Sequence, residues 1–290
     1  MLVSTLFIYP IKSLSGISVT AAQIDGRGLR YDRRFMLFTP DGQAMTQHKH
    51  PQMALVEVSI NEQGERGNWL NVWHRHRPDA ALTIPLDGPT TCEGPRIPVT
   101  IWEDRDVLAV PVSQEADQWF SSVLNEPCQL VFMPPTTHRL VDPAYAQHEE
   151  CIGFTDGYPY LVIGQASLDD LNQRLAHPIE MRRFRPNIVV KGSEPYAEND
   201  WTELRIGDQV FYPGAPCGRC MLINIDPITG QHNHEPLKTL ATYRHQHGMV
   251  VFGQYVLAKP PIKGNLGSVA GDSLGEDGII QVGQSVTTVV

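Results

Sequence analysis

What most restricts the fold of this chain is the shortness of its apolar runs. Twenty-three prolines and 24 glycines are spread along 290 residues and cut the hydrophobic pattern into pieces of strand length. The segment ALVEVSI (54–60) alternates apolar and polar positions, as a strand with one buried face does. LFIYP (6–10), ISVTAAQI (17–24), RFMLF (34–38), NWLNVW (68–73) and ALTIPL (81–86) read the same way, and Asp41-Gly42 in TPDGQ marks a hairpin turn. Strands return in NIVV (187–190), LRIGDQVFY (204–212), CMLINI (220–225), MVVFGQYVLA (249–258) and the closing GIIQVGQSVTTVV (278–290). Two helices are expected. SQEADQWFSSVLN (113–125) follows a serine cap, and QASLDDLNQRL (165–175) aligns three leucines behind a capping-box pattern at Ser167 and Asp170.

These elements predict an α+β, strand-rich fold. An N-terminal mixed α/β domain (1–120) precedes a β-barrel domain with peripheral helices (121–290). No apolar window reaches the length of a membrane span, and MLVSTLFIYPIKS has neither a basic leader nor a small-residue cleavage site. A cytoplasmic protein is expected.

With 41% apolar and 19% charged residues the chain has material for a core. Its net charge of −9 and the lack of a basic stripe argue against nucleic acid as a partner. An anionic ligand would have to be gripped by a local cluster of cations. The five cysteines, Cys92, Cys128, Cys151, Cys217 and Cys220, are odd in number and irregularly spaced, unlike a secreted disulfide framework.

Four stretches carry chemistry. In APCGRCMLINIDPITG (215–230), Cys217 and Cys220 form a C-x-x-C pair around Arg219. A zinc site would need two further ligands, and a thioredoxin-type pair would open a helix, whereas Met221, Leu222, Ile223 and Ile225 suggest a strand. A single thiolate for a soft metal needs one cysteine only; two buried thiols in a loop is the plain alternative. In YPIKSLSG (9–16), Lys12 and Ser13 follow a strand end, a workable phosphate grip or a solvated turn. In GLRYDRRFML (28–37), Arg33 and Arg34 on a strand would face opposite ways, one pairing with Asp32 and the other reaching a ligand. In RRFRPNIVV (182–190), Arg185 and Asn187 would share a strand face and suit a phosphate or a heterocycle edge. Each could also be surface charge. The His-x-His pairs at 48/50, 74/76, 232/234 and 245/247 read as surface histidines, the 232/234 pair lying nearest the cysteine loop.

Read together, YPIKS, DRRF, TDGYPY, FRPNIVV, YAENDW, CGRC with DPITG, EPLKTL and FGQY occur in this order. The series resembles MOSC-domain proteins with an N-terminal MOSC β-barrel partner, of the kind of YcbX-like proteins and the mitochondrial amidoxime-reducing component, over residues 2–285. The resemblance implies a molybdenum cofactor bound between the two domains. Cys220 would be the thiolate ligand to molybdenum and the catalytic residue. Lys12, Ser13, Arg34, Arg185 and Asn187 would contact phosphate and pterin. Asp156, Gly157 and Tyr158 match a further contact region, and Arg219 would hold the cofactor beside the ligand. Cys217 has no assigned role.

The implied reaction is a two-electron reduction of N-hydroxylated compounds to amine or amidine, with release of water. N-Hydroxylated bases and hydroxylamines are the implied small-molecule substrates. No cysteine follows Cys220, so the C-terminal plant-type ferredoxin domain of YcbX-like proteins is expected to be missing. A separate donor, a ferredoxin, flavoprotein or haem protein, would then supply electrons. Two rivals stand beside this reading: a sulfur carrier with a persulfide on Cys220, and a cofactor-binding module without catalysis.

Overall fold

The described residues of the computed structural model are 1–64, 67–89, 94–246, 248–259 and 278–290. Cys92 and His247 lie outside them. The fold is strand-rich α+β, as the punctuation of the sequence predicts. Its largest sheet runs Val286–Val289, Glu203–Ile206, Gln209–Gly218, Met249–Ala258, Tyr160–Gly164, Ile188–Lys191, Leu2–Ile8 and Ile17–Val19, with His245–Gln246 added beside Met249–Ala258. Tyr160–Gly164 and Ile188–Lys191 pair parallel; the other pairs along this path are antiparallel.

The parallel pair requires a crossover, which α2 (Gln165–Arg174) supplies. The sheet also curls. Val3 N–H donates to Gln284 O at 3.0 Å and Val286 N–H to Met1 O at 3.0 Å. The first strand is thereby joined to the segment entering the last, and the sheet closes into a barrel.

The two sequence halves interleave. Leu2–Ile8 comes from the start of the chain yet pairs with Ile188–Lys191, and Ile279–Gln281 from its end pairs with Ala21–Asp25. The remaining N-terminal strands form a four-stranded sheet (Phe35–Phe38, Gln129–Phe132, Asp104–Pro111, Ile97–Ile101) and a three-stranded sheet (Val56–Gly64, Gly67–His74, Arg77–Pro85). One continuous core of fully buried side chains runs through both halves, from Val3, Leu6 and Phe35 through Leu70 and Phe120 to Val162 and Phe211.

Helix α1 (Gln114–Leu124) forms as expected. Ser113 is its N-cap, with Oγ accepting from Ala116 N–H at 3.1 Å. Phe120 and Leu124 are buried, and Asn125, in the left-handed region, ends the helix. Helix α2 departs from expectation. It starts at Gln165 behind Gly164, and the capping box is not made. Ser167 is instead buried, donating to the Glu198 carboxylate at 2.8 Å and accepting from Tyr196 N–H at 2.8 Å. A tertiary partner has taken the hydroxyl that a local cap would have used. A second departure is the segment after the cysteine pair. Met221–Asn224 is a 3₁₀ turn, not a strand. A third helix, α3 (Leu237–Ala241), buries its Leu240 in a separate apolar cluster with Leu171, Phe184, Ile223 and Phe252.

Candidate active site

Where the barrel strands meet the N-terminal sheets, a cavity of about 320 Å³ is lined by residues from each of the four stretches that carry chemistry and from TDGYPY, but by none from YAENDW, DPITG or EPLKTL. Lys12 and Ser13, Asp156 and Tyr158, Arg185 and Asn187, and Cys217, Arg219 and Cys220 all reach it. Gly157 does not line it, and a Cβ there would meet open space. Arg34 lies elsewhere. Its guanidinium binds Asp25 at 2.5 Å beside a separate pocket. The neighbour that faces the main cavity is Arg33.

The loop Tyr9–Ser13 is fastened to residues 32–35. Tyr9 N–H donates to Asp32 Oδ1 (2.8 Å), Arg33 N–H to Tyr9 O (2.8 Å), Phe35 N–H to Pro10 O (3.0 Å) and Lys12 N–H to Phe35 O (2.8 Å). Arg33 holds the buried Asp32 through both carboxylate oxygens, at 2.8 and 2.6 Å. The Tyr9 ring is sandwiched between guanidinium groups, Arg33 at 4.1 Å and Arg185 at 4.3 Å from its centroid. Burial pushes the Tyr9 hydroxyl well above its ordinary value, and the two arginines only partly offset it. The hydroxyl donates to Pro186 O at 3.1 Å. Arg185 is depressed to about 10 by burial first and by Arg33 second, and so stays cationic at neutral pH. Arg185 and Asn187 do not share a strand. Arg185 is left-handed (φ 57°) and ends the 3₁₀ turn Met181–Phe184. It reaches the cavity from a loop, donating to Leu14 O at 2.7 Å.

Lys12 is buried and donates to Phe154 O (2.9 Å) and Asp156 Oδ1 (2.5 Å). Burial lowers its pKa, and Asp156 offsets part of that. The Asp156 carboxyl stands 58% exposed at the rim. Its crowded surroundings raise its pKa, but Lys12 and the Trp102 indole N–H outweigh them and hold it well below the carboxylate range.

The cysteine loop is shaped by irregular pairing. Gln209–Gly218 slips register against Met249–Ala258 between Pro213 and Pro216 and again between Pro216 and Gly218. Such bulges re-aim side chains. Gly214 is required here, because a Cβ would lie 2.3 Å from Tyr158 Cε1. Tyr158 and Tyr255 stack at 4.7 Å behind the loop, and Tyr158 Oη accepts from Ala215 N–H at 3.2 Å. Cys217 is buried, its thiol pushed up by burial and hydrogen bonded to Tyr255. Cys220 caps the 3₁₀ turn and is exposed within the cavity lining. The pair is thus divided into one inward thiol and one accessible thiol.

Arg219 is anchored through Phe252 O and Phe184 O, both at 2.9 Å. Its Nη2 is buried and makes no hydrogen bond among the described residues, and neither does Thr155 Oγ1. Both residues line the cavity. A buried polar atom without a partner costs roughly 1–3 kcal/mol, so a site with two of them is built for a ligand that satisfies them. The charge agrees. Four cationic side chains line the cavity, Asp32 and Asp156 answer Arg33 and Lys12, and Arg185 and Arg219 hydrogen-bond only to backbone carbonyls among the described residues, with no carboxylate paired to either.

Strain gathers here as well. Eight described non-glycine residues have positive φ, and Ser13, Arg33, Trp102 and Arg185 among them line the cavity. Strained backbone of this kind collects where a site must be held in one geometry.

Sequence reasoning gave no site role to Tyr9, His48, Trp102, Thr155 or Tyr255, and it assigned the cofactor contact to Arg34, whereas Arg33 is the arginine that lines the cavity. DPITG proves to be a local fastener: Asp226 accepts from Ile228 and Thr229 N–H at 2.8 and 3.0 Å and binds Arg183 at 2.9 Å. Among the described residues no cluster of three metal-ligating side chains occurs.

Residues 1–127 match the MOSC N-terminal beta barrel domain and residues 149–287 the MOSC domain. The chain is 32% identical over 277 residues to mitochondrial amidoxime-reducing component 1 of Mus musculus, spanning 89% of this chain and 78% of that protein. It is also 32% identical over 280 residues to the protein of the same name from Homo sapiens, spanning 89% and 79%. Molybdenum cofactor sulfurase of Oryza sativa subsp. japonica is 31% identical over 304 residues, covering 97% of this chain but 35% of the sulfurase.

Proposed function

The chain belongs to the MOSC family, carrying both the N-terminal MOSC β-barrel domain and the MOSC domain, and from that premise we propose that it is a molybdenum-cofactor-dependent reductase of N-hydroxylated compounds. One observation carries the reading: the accessible thiol Cys220 shares a cavity with four cations and two unpartnered buried polar atoms. A pterin bearing a phosphate and a dithiolene is a bulky anion with many acceptors. Arg185, Arg219, Lys12 and Ser13 suit its phosphate and Asn187 its heterocycle edge, while Thr155 Oγ1 and Arg219 Nη2 offer the hydrogen bonds they lack. Cys220 is the soft ligand for the metal. Arg33 takes the place given to Arg34 on sequence grounds, because it is the one that lines the cavity.

When bound, the cofactor supplies the two-electron redox centre. The protein's share is binding, orientation and proton access. An N–OH group converts to N–H and water by taking up two electrons and two protons. The protons come from solvent at the open rim, where His48 and Asp156 stand exposed. The stacked Tyr158 and Tyr255 also line the cavity, and Tyr158 Oη accepts from Ala215 N–H at the start of the cysteine loop. Electrons come from a separate donor protein.

The test uses protein from a host that makes the cofactor. Molybdenum and pterin content, and benzamidoxime reduction with a chemical reductant, are compared among parent, Cys220→Ala and Cys217→Ala. Cys220→Ala is expected to lose activity and to retain far less metal, with Cys217→Ala close to the parent. If Cys220→Ala keeps both metal and rate, the ligand assignment is wrong. A persulfide carried on Cys220 is the second reading, favoured by the match to a sulfurase along nearly the whole chain. It predicts protein without bound molybdenum and with a cyanide-releasable sulfur.

A further inference from the structure

Trp102 breaks the local rules of the hairpin that carries it. Ile97–Ile101 and Asp104–Pro111 pair antiparallel, with Ile101 opposite Asp104, so the connection is the two-residue turn Trp102–Glu103. Two-residue hairpin turns demand positive φ and select Asn, Asp or Gly. Trp102 instead sits there at φ 55°. A bulky aromatic side chain in the left-handed region is an outlier, and violations of local preference concentrate at functional positions. Nor is it kept there by burial. Trp102 is 59% exposed, the highest exposure of any large apolar side chain among the described residues except the terminal Val290. Yet it lines the cavity that holds Cys220, and its indole N–H donates to Asp156 Oδ1 at 2.9 Å.

The carboxylate it holds is part of the same device. Both hydrogen bonds to Asp156, from Lys12 and from Trp102, fall on Oδ1. None reaches Oδ2 among the described residues. The rim therefore presents an exposed indole face beside a carboxylate oxygen with capacity to accept, fixed from behind by a buried lysine. That combination suits one chemical shape: a flat π-system with N–H donors at its edge. An aromatic face supplies stacking to any planar ring, and a carboxylate accepts strongly from amidine-type N–H groups.

We propose that Trp102 and Asp156 form a substrate clamp selecting planar N-hydroxylated amidines and aminoheterocycles over aliphatic hydroxylamines. The ring stacks on Trp102, and a ring or exocyclic N–H donates to Asp156 Oδ2. Trp102 touches substrate but takes no part in electron or proton transfer. The clamp rests on the reductase reading for its substrate, and its geometry rests on the Trp102 hairpin and the Asp156 carboxylate it holds.

The experiment uses the cofactor-loaded protein and two substrates, 6-hydroxylaminopurine and N-methylhydroxylamine. Adenine serves as a non-reducible binding probe. Stacking on an aromatic side chain contributes enough that its loss weakens binding roughly tenfold. Trp102→Leu, which keeps apolar bulk, is expected to lower the purine-to-aliphatic ratio of kcat/KM by about that factor, mainly through KM for the purine. Trp102→Phe keeps a ring and is expected to retain most of the ratio. Adenine is expected to quench a part of the tryptophan emission that both variants lack. An unchanged ratio in Trp102→Leu, or adenine quenching that persists in it, overturns the clamp. If the parent reduces neither substrate but adenine still quenches Trp102, the reductase reading fails and the clamp stands. If both are reduced with no effect of Trp102, the clamp alone fails. Should Trp102→Leu not fold, the quenching difference between parent and Trp102→Phe decides.

Discussion

Two residues, Gly218 and Arg219, separate the cysteines of C-x-R-C, and their surroundings make them chemically unlike. Cys217 is buried against Tyr255, with its thiol raised by burial, whereas Cys220 is exposed. Cys128 is also buried, its thiol pushed up to about 11 by burial, which its bond to Ser121 only partly offsets. The thiolate is the reactive form, so a thiol at about 11 is ionised to roughly one part in a thousand at pH 8. In cofactor-free protein, iodoacetamide at pH 8 is therefore expected to modify Cys220 well before Cys217 or Cys128. Raising the pH should speed the two buried thiols, because a raised pKa brings the thiolate only at higher pH. Peptide mapping against time reads this directly, and Cys217 labelling as fast as Cys220 contradicts the assignment. Which arginine of YDRRF faces the ligand was not legible at this scale. Alternation along a strand says that neighbours point apart, but not which one points where. Arg33 lies before the strand Phe35–Phe38, at φ 47°, and its direction follows from the buried Asp32 it grips. The sequence offered Asp32 as a partner for one arginine and the ligand to the other, but Arg33 takes both places and Arg34 turns to Asp25.

Elements were legible where their determinants are local. Helix α1 follows from its serine cap and apolar spacing, and its bond from Ala116 N–H to Ser113 Oγ is a self-contained device. Ser113→Ala should cost about 1 kcal/mol, measured by urea unfolding, and leave molybdenum content unchanged because the helix lies outside the cavity lining. A loss of metal in this variant would mean that α1 helps to shape the site. Helix α2 was legible in extent but not in its cap, because Ser167 answers to Glu198, 31 residues further on. Burial keeps the Glu198 carboxyl raised, so the serine is committed to a core network that no local pattern announces. The segment 221–225 was misread for a related reason. Its apolar residues fit a strand, but Met221 is exposed while Ile223 is buried. The 3₁₀ turn stops the strand at Gly218 and leaves Cys220 at the cavity. The bulges at Pro213–Gly218 belong with it, since an unbroken strand would carry the loop past the site.

At the scale of the whole molecule, the order of elements along the chain suggests two successive units, while the pairing joins them. A division at residue 120 runs through α1, and the barrel reaches back for Leu2–Ile8. That strand is paired on both sides, with Ile188–Lys191 and Ile17–Val19, and it feeds straight into the Tyr9–Ser13 loop that brings Lys12 and Ser13 to the cavity. Its Leu6 is fully buried in the core that both halves share. Long-range pairing of this kind is invisible to periodicity, which reports that a segment is a strand and not which strand it meets. It has a thermodynamic consequence. A core shared across the sequence boundary couples the halves, so the chain should unfold in one transition despite its length. Leu6→Ala removes a buried side chain from that shared core and should cost about 2–5 kcal/mol, lowering the urea midpoint without splitting it. Tryptophan emission samples mainly the N-terminal half, where Trp69, Trp73, Trp102 and Trp119 lie, and far-ultraviolet circular dichroism samples all the strands. Coincident curves from both probes, shifted together by Leu6→Ala, mark one cooperative unit. Two separated transitions, with Leu6→Ala moving only one, mark two domains that fold independently, and the site between them would then owe its geometry to docking and not to a common core.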